Sequence, residues 1–169
     1  MLRAVRMEAD IKSVVCYFVR HGIAVDGAEW EGADYDRPLT EKGREKMTKV
    51  GKQLARLEIE ADAIVSSPLV RARQTADILA ASLRCVVEED ARLGGGFDPG
   101  ALAGILRDRA GVQTLVLVGH EPNMSATVGS VIGGARIDFK KGAVACVAIP
   151  DAESLRGELQ WLVPPKLFA

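Results

Sequence analysis

The chain has 169 residues, with 22 basic and 23 acidic side chains, three cysteines and two histidines. This length fits one domain that buries roughly two thirds of its unfolded surface, so neither a metal nor a disulfide is needed for folding. The net charge of −1 and the hydrophobic fraction of 48% exclude a disordered tail and a polycation. We therefore expect no binding of nucleic acid by bulk charge.

The three cysteines, Cys16, Cys85 and Cys146, lie far apart in apolar segments, and we interpret them as buried strand residues rather than disulfide or zinc ligands. Cysteines without disulfide partners predict a reducing, cytoplasmic setting. No apolar run approaches the ~20 residues needed to cross a bilayer, so we expect no membrane partner. Residues 1–12 lack an apolar core, which predicts a frayed leader before a single domain over residues 13–169.

Short apolar runs alternate with amphipathic stretches along the chain, which is typical of an α/β domain. The predicted strands lie over residues 14–19, 61–65, 85–87, 114–118, 143–149 and 159–163. The predicted helices are one capped by Thr40, one from Pro68 to about Leu83, one over 101–109 and one beginning at 121–123. The serines before Pro68, Ser66 and Ser67, are expected to supply the hydroxyl that caps the second helix. The first helix repeats apolar residues at Met47, Val50, Leu54 and Leu57, which indicates one buried face.

Both histidines, His21 and His120, directly follow a predicted apolar strand. Ligands in open α/β sheets bind outside the carboxyl ends of the strands, so two histidines at equivalent positions indicate a site. Arg20 adjoins His21, and Arg71 lies one turn into a helix, from where it can reach back toward the strand end, whereas Arg73 must point elsewhere. Because guanidinium groups match phosphate and carboxylate oxygens, the arginines favour an oxyanion pocket.

Four motifs occur in order along the chain: YFVRHG at 17–22, RPLT at 37–40, SSPLVRARQTA at 66–76 and VGHEP at 118–122. Together they resemble the motifs of the histidine phosphatase superfamily, and more narrowly those of its short branch, the SixA-type phosphohistidine phosphatases. The resemblance implies a phosphoglycerate-mutase-like, three-layer α/β/α sandwich around a mixed, mostly parallel sheet.

The resemblance also implies a role for each site residue. His21 is the expected nucleophile, which becomes transiently phosphorylated, and Arg20, Arg71 and His120 are its expected catalytic partners. The residues expected to bind the phosphoryl group are Arg20, Gly22, Arg37, Arg71 and His120.

The chemistry of phosphoryl transfer agrees with these roles. The task is mainly to position the phosphoryl group and to neutralise its equatorial oxygens, which three arginines can do without a metal. A histidine nucleophile splits the displacement by water into two steps. Only neutral imidazole has a lone pair for attack, and nearby arginine charge favours that form, so we expect activity to fall as His21 is protonated at low pH. The sequence shows no metal-ligand spacing of carboxylates, so we expect neither a metal nor another cofactor.

The middle of the chain carries three acids, Glu88, Glu89 and Asp90, followed by glycines at 94–96. Phosphomonoesterases and mutases of the superfamily generally use a carboxylic acid to protonate the leaving alkoxide. These three acids either supply such a group or form a solvated strand exit. Imidazole leaves phosphorus more easily than an alkoxide does, so cleavage of a P–N bond tolerates the absence of the acid.

The leading hypothesis is a phosphohistidine phosphatase that acts on a histidine-phosphorylated protein through a covalent phosphohistidine intermediate and releases inorganic phosphate. The alternatives are a phosphatase for small phosphomonoesters or phosphoanhydrides, and a non-catalytic phosphate-binding module. The chain has no insertion large enough to form a lid over a sugar phosphate, which favours an open pocket. The loop between Gly22 and Arg37, which contains Trp30, is long enough to border that pocket.

Overall fold

The computed structural model describes residues 13–168, and the predicted leader over residues 1–12 lies outside this range. The strands form one sheet and are β1 (Val14–Arg20), β2 (Ala63–Ser66), β3 (Val87–Glu89), β4 (Thr114–Gly119), β5 (Val144–Ile149) and β6 (Glu158–Val163). The α-helices are α1 (Glu41–Arg56), α2 (Val70–Leu83), α3 (Pro99–Asp108) and α4 (Asn123–Val131). Between residues 13 and 168, no helix is both long and apolar enough to cross a membrane.

The strand order β3-β2-β4-β1-β5-β6 places β1 in the interior of the sheet. The first four strands of this order are parallel, whereas β5 and β6 are antiparallel to their neighbours. In the register of β1 and β4, Arg20 lies opposite Gly119. The residues that follow these two strands, His21 and His120, therefore emerge side by side at the carboxyl edge of the sheet.

Side chains on the two faces of the sheet form two hydrophobic cores. Phe18 of β1 points into the core that includes α3 and α4, while its neighbour Val19 points into the core that includes α1 and α2. Adjacent strand residues face opposite sides, so a run that is apolar throughout has to be covered on both. Each large apolar side chain buried in this way contributes about 1.5–3 kcal/mol to folding. The predicted three-layer α/β/α sandwich around a mixed, mostly parallel sheet is confirmed.

The first helix begins as predicted but ends earlier than its apolar stripe. The Thr40 hydroxyl accepts a hydrogen bond from the Gly43 N–H at 3.0 Å, and Met47 and Leu54 are buried. Leu57, predicted to continue the buried face, is 60% exposed. That prediction is wrong: α1 ends at Arg56, and Leu57 is the exposed residue that caps its carboxyl end.

The second helix begins two residues later than predicted. Pro68 was expected at its first position, but Leu69 has an extended backbone with ψ of 135°, and α2 starts at Val70. The Ser67 hydroxyl, expected to cap the helix, instead accepts from the Leu69 N–H at 3.3 Å. Arg71 therefore lies in the first turn of α2, soon after the end of β2.

The cysteines are free thiols, but they do not all lie in strands. Cys16 and Cys146 are buried in β1 and β5, as predicted. Cys85 is only half-buried, because β3 begins at Val87 rather than at residue 85. The predicted strand at this place is therefore real but displaced.

Candidate active site

The two histidines lie against each other at the carboxyl edge of the sheet. Their ring centroids are 5.1 Å apart, and both side chains are buried. The His21 N–H donates to the Gly119 carbonyl at 3.0 Å, which continues the pairing of β1 and β4 by one residue. The parallel pairing of these strands thus brings together two residues that are far apart in the sequence.

A chain of hydrogen bonds fixes the orientation of His21. Its Nδ1 lies 2.7 Å from the carbonyl oxygen of Gly22. A carbonyl can only accept, so Nδ1 carries the proton and the lone pair of the neutral ring is on Nε2. The Gly22 N–H donates to the Thr75 hydroxyl (3.0 Å), which donates to the Arg71 carbonyl (2.7 Å). A Cβ at Gly22 would approach Met47 Cγ to 2.8 Å, so the close packing requires glycine.

His120 is held from the other side by Ser67. Its Nε2 lies 2.8 Å from the Ser67 hydroxyl oxygen, and Ser67 is completely buried. The same hydroxyl already accepts from the Leu69 N–H, so its own proton is available for His120 Nε2. In that arrangement the proton of the neutral ring resides on Nδ1, a buried atom without a partner in the protein.

Arg20 and Arg71 present their guanidinium groups in the same way. Arg20 donates from Nη1 to the carbonyl of Phe139 at 2.8 Å, and its Nε is buried without a partner. Arg71 donates from Nη1 and Nη2 to Asp34, and its Nε is likewise buried without a partner. In both residues the Nη end of the group is anchored and the Nε–H remains available.

These orphaned atoms all lie in the predicted site. Within residues 13–168, the buried side-chain nitrogen or oxygen atoms without a hydrogen-bond partner are Arg20 Nε, Arg71 Nε and His120 Nδ1. A buried donor left unsatisfied costs about 1–3 kcal/mol, so native proteins rarely retain several together unless a ligand uses them. An anion with several oxygens would satisfy these three donors.

Arg37 occupies a different position. Its Nε and Nη2 contact Asp34 Oδ1 at 2.9 and 2.8 Å, and its Nη1 donates to the Val25 carbonyl at 2.7 Å. Its positive charge helps to lower the pKa of His120. Arg37 is therefore linked to Arg71 through Asp34, which contacts both arginines, and its phosphate contact stays a prediction. The same holds for Gly22, whose N–H is already bonded to Thr75.

Both histidines are strongly biased toward the neutral form. Burial lowers the pKa of His21 to about 3, and the charges of His120, Arg71 and Arg20 act in the same direction. Burial also lowers the pKa of His120 to about 4, assisted by Arg71. The prediction that His21 is neutral has the right direction, but desolvation rather than arginine charge is the main cause.

Comparison with known proteins identifies the family. A family model described as the histidine phosphatase superfamily (branch 1) matches residues 16–105. The chain belongs to this superfamily. An uncharacterized protein of Picosynechococcus sp. is 35% identical over 166 residues, which cover 88% of this chain and 98% of that protein.

Solved structures of other proteins share the fold of this superfamily member. The protein histidine phosphatase SixA complexed with tungstate has a TM-score of 0.83 and 25% identity, with 92% of this chain and 100% of that chain covered. A mycobacterial glucosyl-3-phosphoglycerate phosphatase has a TM-score of 0.66 and 17% identity, with 88% and 98% covered. The second likeness shows the fold alone.

The three acids of the middle region are paired with arginines in this superfamily member. The pairs are Glu88 with Arg109, Glu89 with Arg73, and Asp90 with Arg92. The hydrogen bond from Arg92 holds the pKa of Asp90 below its usual value, so this carboxyl is a poor proton donor. Of the two alternatives left open by the sequence, these pairings favour a strand exit stabilised by ion pairs. Within residues 13–168, no three His, Cys, Asp or Glu side chains converge as metal ligands.

Three side chains that support the site were not among its predicted members. Thr75 lies one turn after Arg71, on the same face of α2, and this spacing was a usable signal. Ser67 was interpreted only as a helix cap. Asp34 lies in a loop with several other acids, and nothing in the sequence distinguishes it from them.

Proposed function

We propose that this chain is a phosphohistidine phosphatase that dephosphorylates a protein through a covalent intermediate on His21. The observation that carries the proposal is the orientation of this ring. Because Nδ1 is bonded to the Gly22 carbonyl, the lone pair lies on Nε2, within a group of residues that present three unpartnered donors. The oxygens of a phosphoryl group attacked by Nε2 would accept hydrogen bonds from Arg20, Arg71 and His120.

The reaction proceeds in two displacements. In the first, His21 Nε2 attacks phosphorus, an N–P bond forms, and the P–N bond of the substrate breaks while the leaving imidazole takes a proton from solvent. In the second, water attacks the phosphorus, the Nε2–P bond breaks, inorganic phosphate leaves with the water oxygen and its protons, and the neutral ring is restored. The charges of Arg20 and Arg71 neutralise the phosphoryl oxygens in both steps, so the proposal requires no metal.

The state of the nearby acids favours a P–N substrate over an ester. An alkoxide leaves slowly unless a carboxylic acid protonates it. Asp90 is held as a carboxylate by Arg92, and the Glu88 and Glu89 carboxylates point to Arg109 and Arg73. Imidazole is the better leaving group, so phosphohistidine suits this site. The fold similarity to SixA complexed with tungstate supports the same substrate class.

A phosphatase for small phosphate esters or anhydrides is the second candidate. The donors around His21 would bind the phosphoryl group and would not distinguish one leaving group from another. The fold is also shared with a glucosyl-3-phosphoglycerate phosphatase. The two candidates therefore differ in the leaving group alone.

A substrate panel tests the proposal. A histidine-phosphorylated protein, phosphoramidate and an alkyl phosphate ester, whose alkoxide leaves slowly without an acid, are compared as substrates, with and without a chelator. We expect a strong preference for the P–N compounds, no effect of the chelator, and a radiolabelled phosphoenzyme that is absent in His21→Ala. A preference for the ester supports the second candidate. Phosphate binding without any turnover indicates the non-catalytic module.

A further inference from the structure

The loop before α1 places one acid between two arginines. Asp34 begins the 3-10 turn Asp34–Asp36 and contacts both Arg37 and Arg71. We propose that Asp34 is a positioning residue, which fixes the end of the Arg71 guanidinium so that its Nε–H is presented to the phosphoryl group. This inference rests on the proposed function, since it assigns Arg71 to the phosphoryl oxygens.

The contacts to Arg71 engage one particular edge of its guanidinium. Nη1 donates to the main-chain carbonyl of Asp34 at 2.7 Å, and Nη2 donates to its Oδ2 at 3.0 Å. Two bonds to one residue determine the plane of the group as well as its position. The remaining donor, Nε–H, is buried and has no partner in the protein. Asp34 thus binds both Nη atoms of Arg71 and leaves the Nε–H available.

The location of the two side chains is consistent with this division. Arg71 is 7% exposed, whereas the side chain of Asp34 is 64% exposed. The carboxylate therefore contacts Arg71 while much of it still faces solvent, and its charge also acts on His120. Its second oxygen binds Arg37, which ties the loop and α2 to the same acid. The hydrogen bond from Arg37 also keeps the pKa of Asp34 low, so the anchor stays ionised at neutral pH.

A competing explanation predicts the opposite sign. If Asp34 merely occupied the arginines as a substitute anion, its removal would strengthen the binding of a tetrahedral oxyanion. Removal of any negative charge near the site acts in that same direction through space. A positioning role predicts weaker binding in spite of the lost negative charge. The sign of the change in affinity therefore distinguishes the two explanations.

Asp36 provides a matched control for charge. It lies in the same 3-10 turn and is exposed, and its carboxylate has no hydrogen bond or ion pair with any residue between 13 and 168. Asp36→Asn removes one negative charge from the turn without touching Arg71. Asp34→Asn removes the same charge and leaves at most a neutral contact with Arg71 Nη2, and Asp34→Ala removes that side-chain contact entirely. The main-chain carbonyl of Asp34 keeps its bond to Nη1 in both variants.

The experiment measures tungstate binding by calorimetry and kcat and KM on phosphoramidate for the wild type, Asp34→Asn, Asp34→Ala and Asp36→Asn. We expect both Asp34 variants to bind tungstate at least about tenfold more weakly and to lose about 10- to 100-fold in kcat/KM, because displaced catalytic groups cost rate steeply. Asp36→Asn should stay within about twofold of the wild type. Thermal unfolding of Asp34→Asn should match that of Asp36→Asn, since both side chains are exposed.

A double-mutant cycle shows whether Asp34 acts through Arg71. In an Arg71→Ala background, Asp34→Ala should cause little further loss of tungstate affinity, since the anchored group is gone. Fully additive losses, tighter tungstate binding by Asp34→Ala, or an Asp34→Ala protein that binds tungstate as Asp36→Asn does would each overturn the positioning role while the phosphatase stands. A wild-type protein that neither binds tungstate nor turns over phosphoramidate overturns the proposed function and the role of Asp34 with it.

Discussion

Arg71 and Arg73 lie two residues apart in α2 and have opposite surroundings. Arg71 is 7% exposed and retains a buried Nε without a partner. The side chain of Arg73 is 39% exposed, and its Nε and Nη1 donate to Asp77 and Glu89. The prediction that Arg73 points away from the site is confirmed. Arg71, the arginine of the candidate site, is thus distinguished from Arg73 by a buried donor that the protein leaves unpaired.

The same contrast separates the whole site from the ion pairs at the end of β3. Arg92 and Arg109 both contact the carboxylate of Asp90, and each has a second acid as well. Every charge there has a partner from the protein, which stabilises the fold but leaves nothing for a ligand. Around His21, by contrast, several buried donors have no partner in the protein, as expected where a substrate supplies the missing acceptor.

The largest difference should appear when each of the two neighbouring arginines is truncated. Arg71→Ala removes the proposed donor to the phosphoryl oxygens, and we expect kcat on phosphoramidate to fall by about 10²–10³. Arg73→Ala removes two exposed ion pairs and should leave kcat within about twofold. Steady-state kinetics on the two purified variants check this. Equal losses in both variants contradict the distinction between the two arginines.

The fold could be predicted because its strands are apolar throughout and its helices have one apolar face. The errors fall at boundaries, where local signals compete. A proline after two serines is a common helix start, yet the chain remains extended through Leu69, and Ser67 contacts His120 instead of capping α2. The helical spacing of apolar residues extends to Leu57, one residue beyond the end of α1, and such periodicity alone does not mark where a helix ends.

The central residues of the site could also be predicted, whereas the residues that hold them could not. His21 and His120 follow strands that pair in parallel, and this placement can be inferred from a sequence. The contacts of Asp34 with Arg71 and of Ser67 with His120 join segments that are distant in the sequence. Such contacts follow from tertiary packing and have no local pattern.

The free energy of unfolding should decrease at acid pH because the two buried histidines resist protonation in the folded protein. The pKa values of His21 and His120 are lowered to about 3 and about 4 in the folded protein, below the value of about 6.5 in an unfolded chain. Above pH 6.5 both rings are neutral in both states. As the pH falls below 6.5, the unfolded chain binds protons that the folded protein does not, so the free energy of unfolding decreases.

Each buried histidine should contribute a slope approaching about 1.4 kcal/mol per pH unit between pH 5.5 and 4.5. Urea unfolding of the wild type and of His120→Asn at several pH values measures this slope, which should be smaller in the variant. Turnover should persist well below pH 6.5, because His21 keeps its lone pair until the pH nears 3. An acid limb centred near pH 6.5, or identical slopes in the two proteins, contradicts the assignment.

The smallest expected effect lies in the paired region, where a substitution should change stability and not catalysis. The Asp90 side chain is 10% exposed, and its carboxylate accepts hydrogen bonds from the Arg92 N–H and the Arg92 guanidinium. Asp90→Asn weakens these charge-assisted bonds, and we expect it to lower the free energy of unfolding by about 1 kcal/mol. The Glu89 side chain is 47% exposed, and exposed ion pairs contribute about 0–1 kcal/mol. Glu89→Gln should therefore lower the free energy of unfolding by a few tenths of a kcal/mol at most.

Both variants should keep the wild-type kcat on phosphoramidate. A large loss of kcat in either one would identify that carboxyl as the general acid, and the division between an unpaired catalytic region and a paired structural region would then be wrong at that residue.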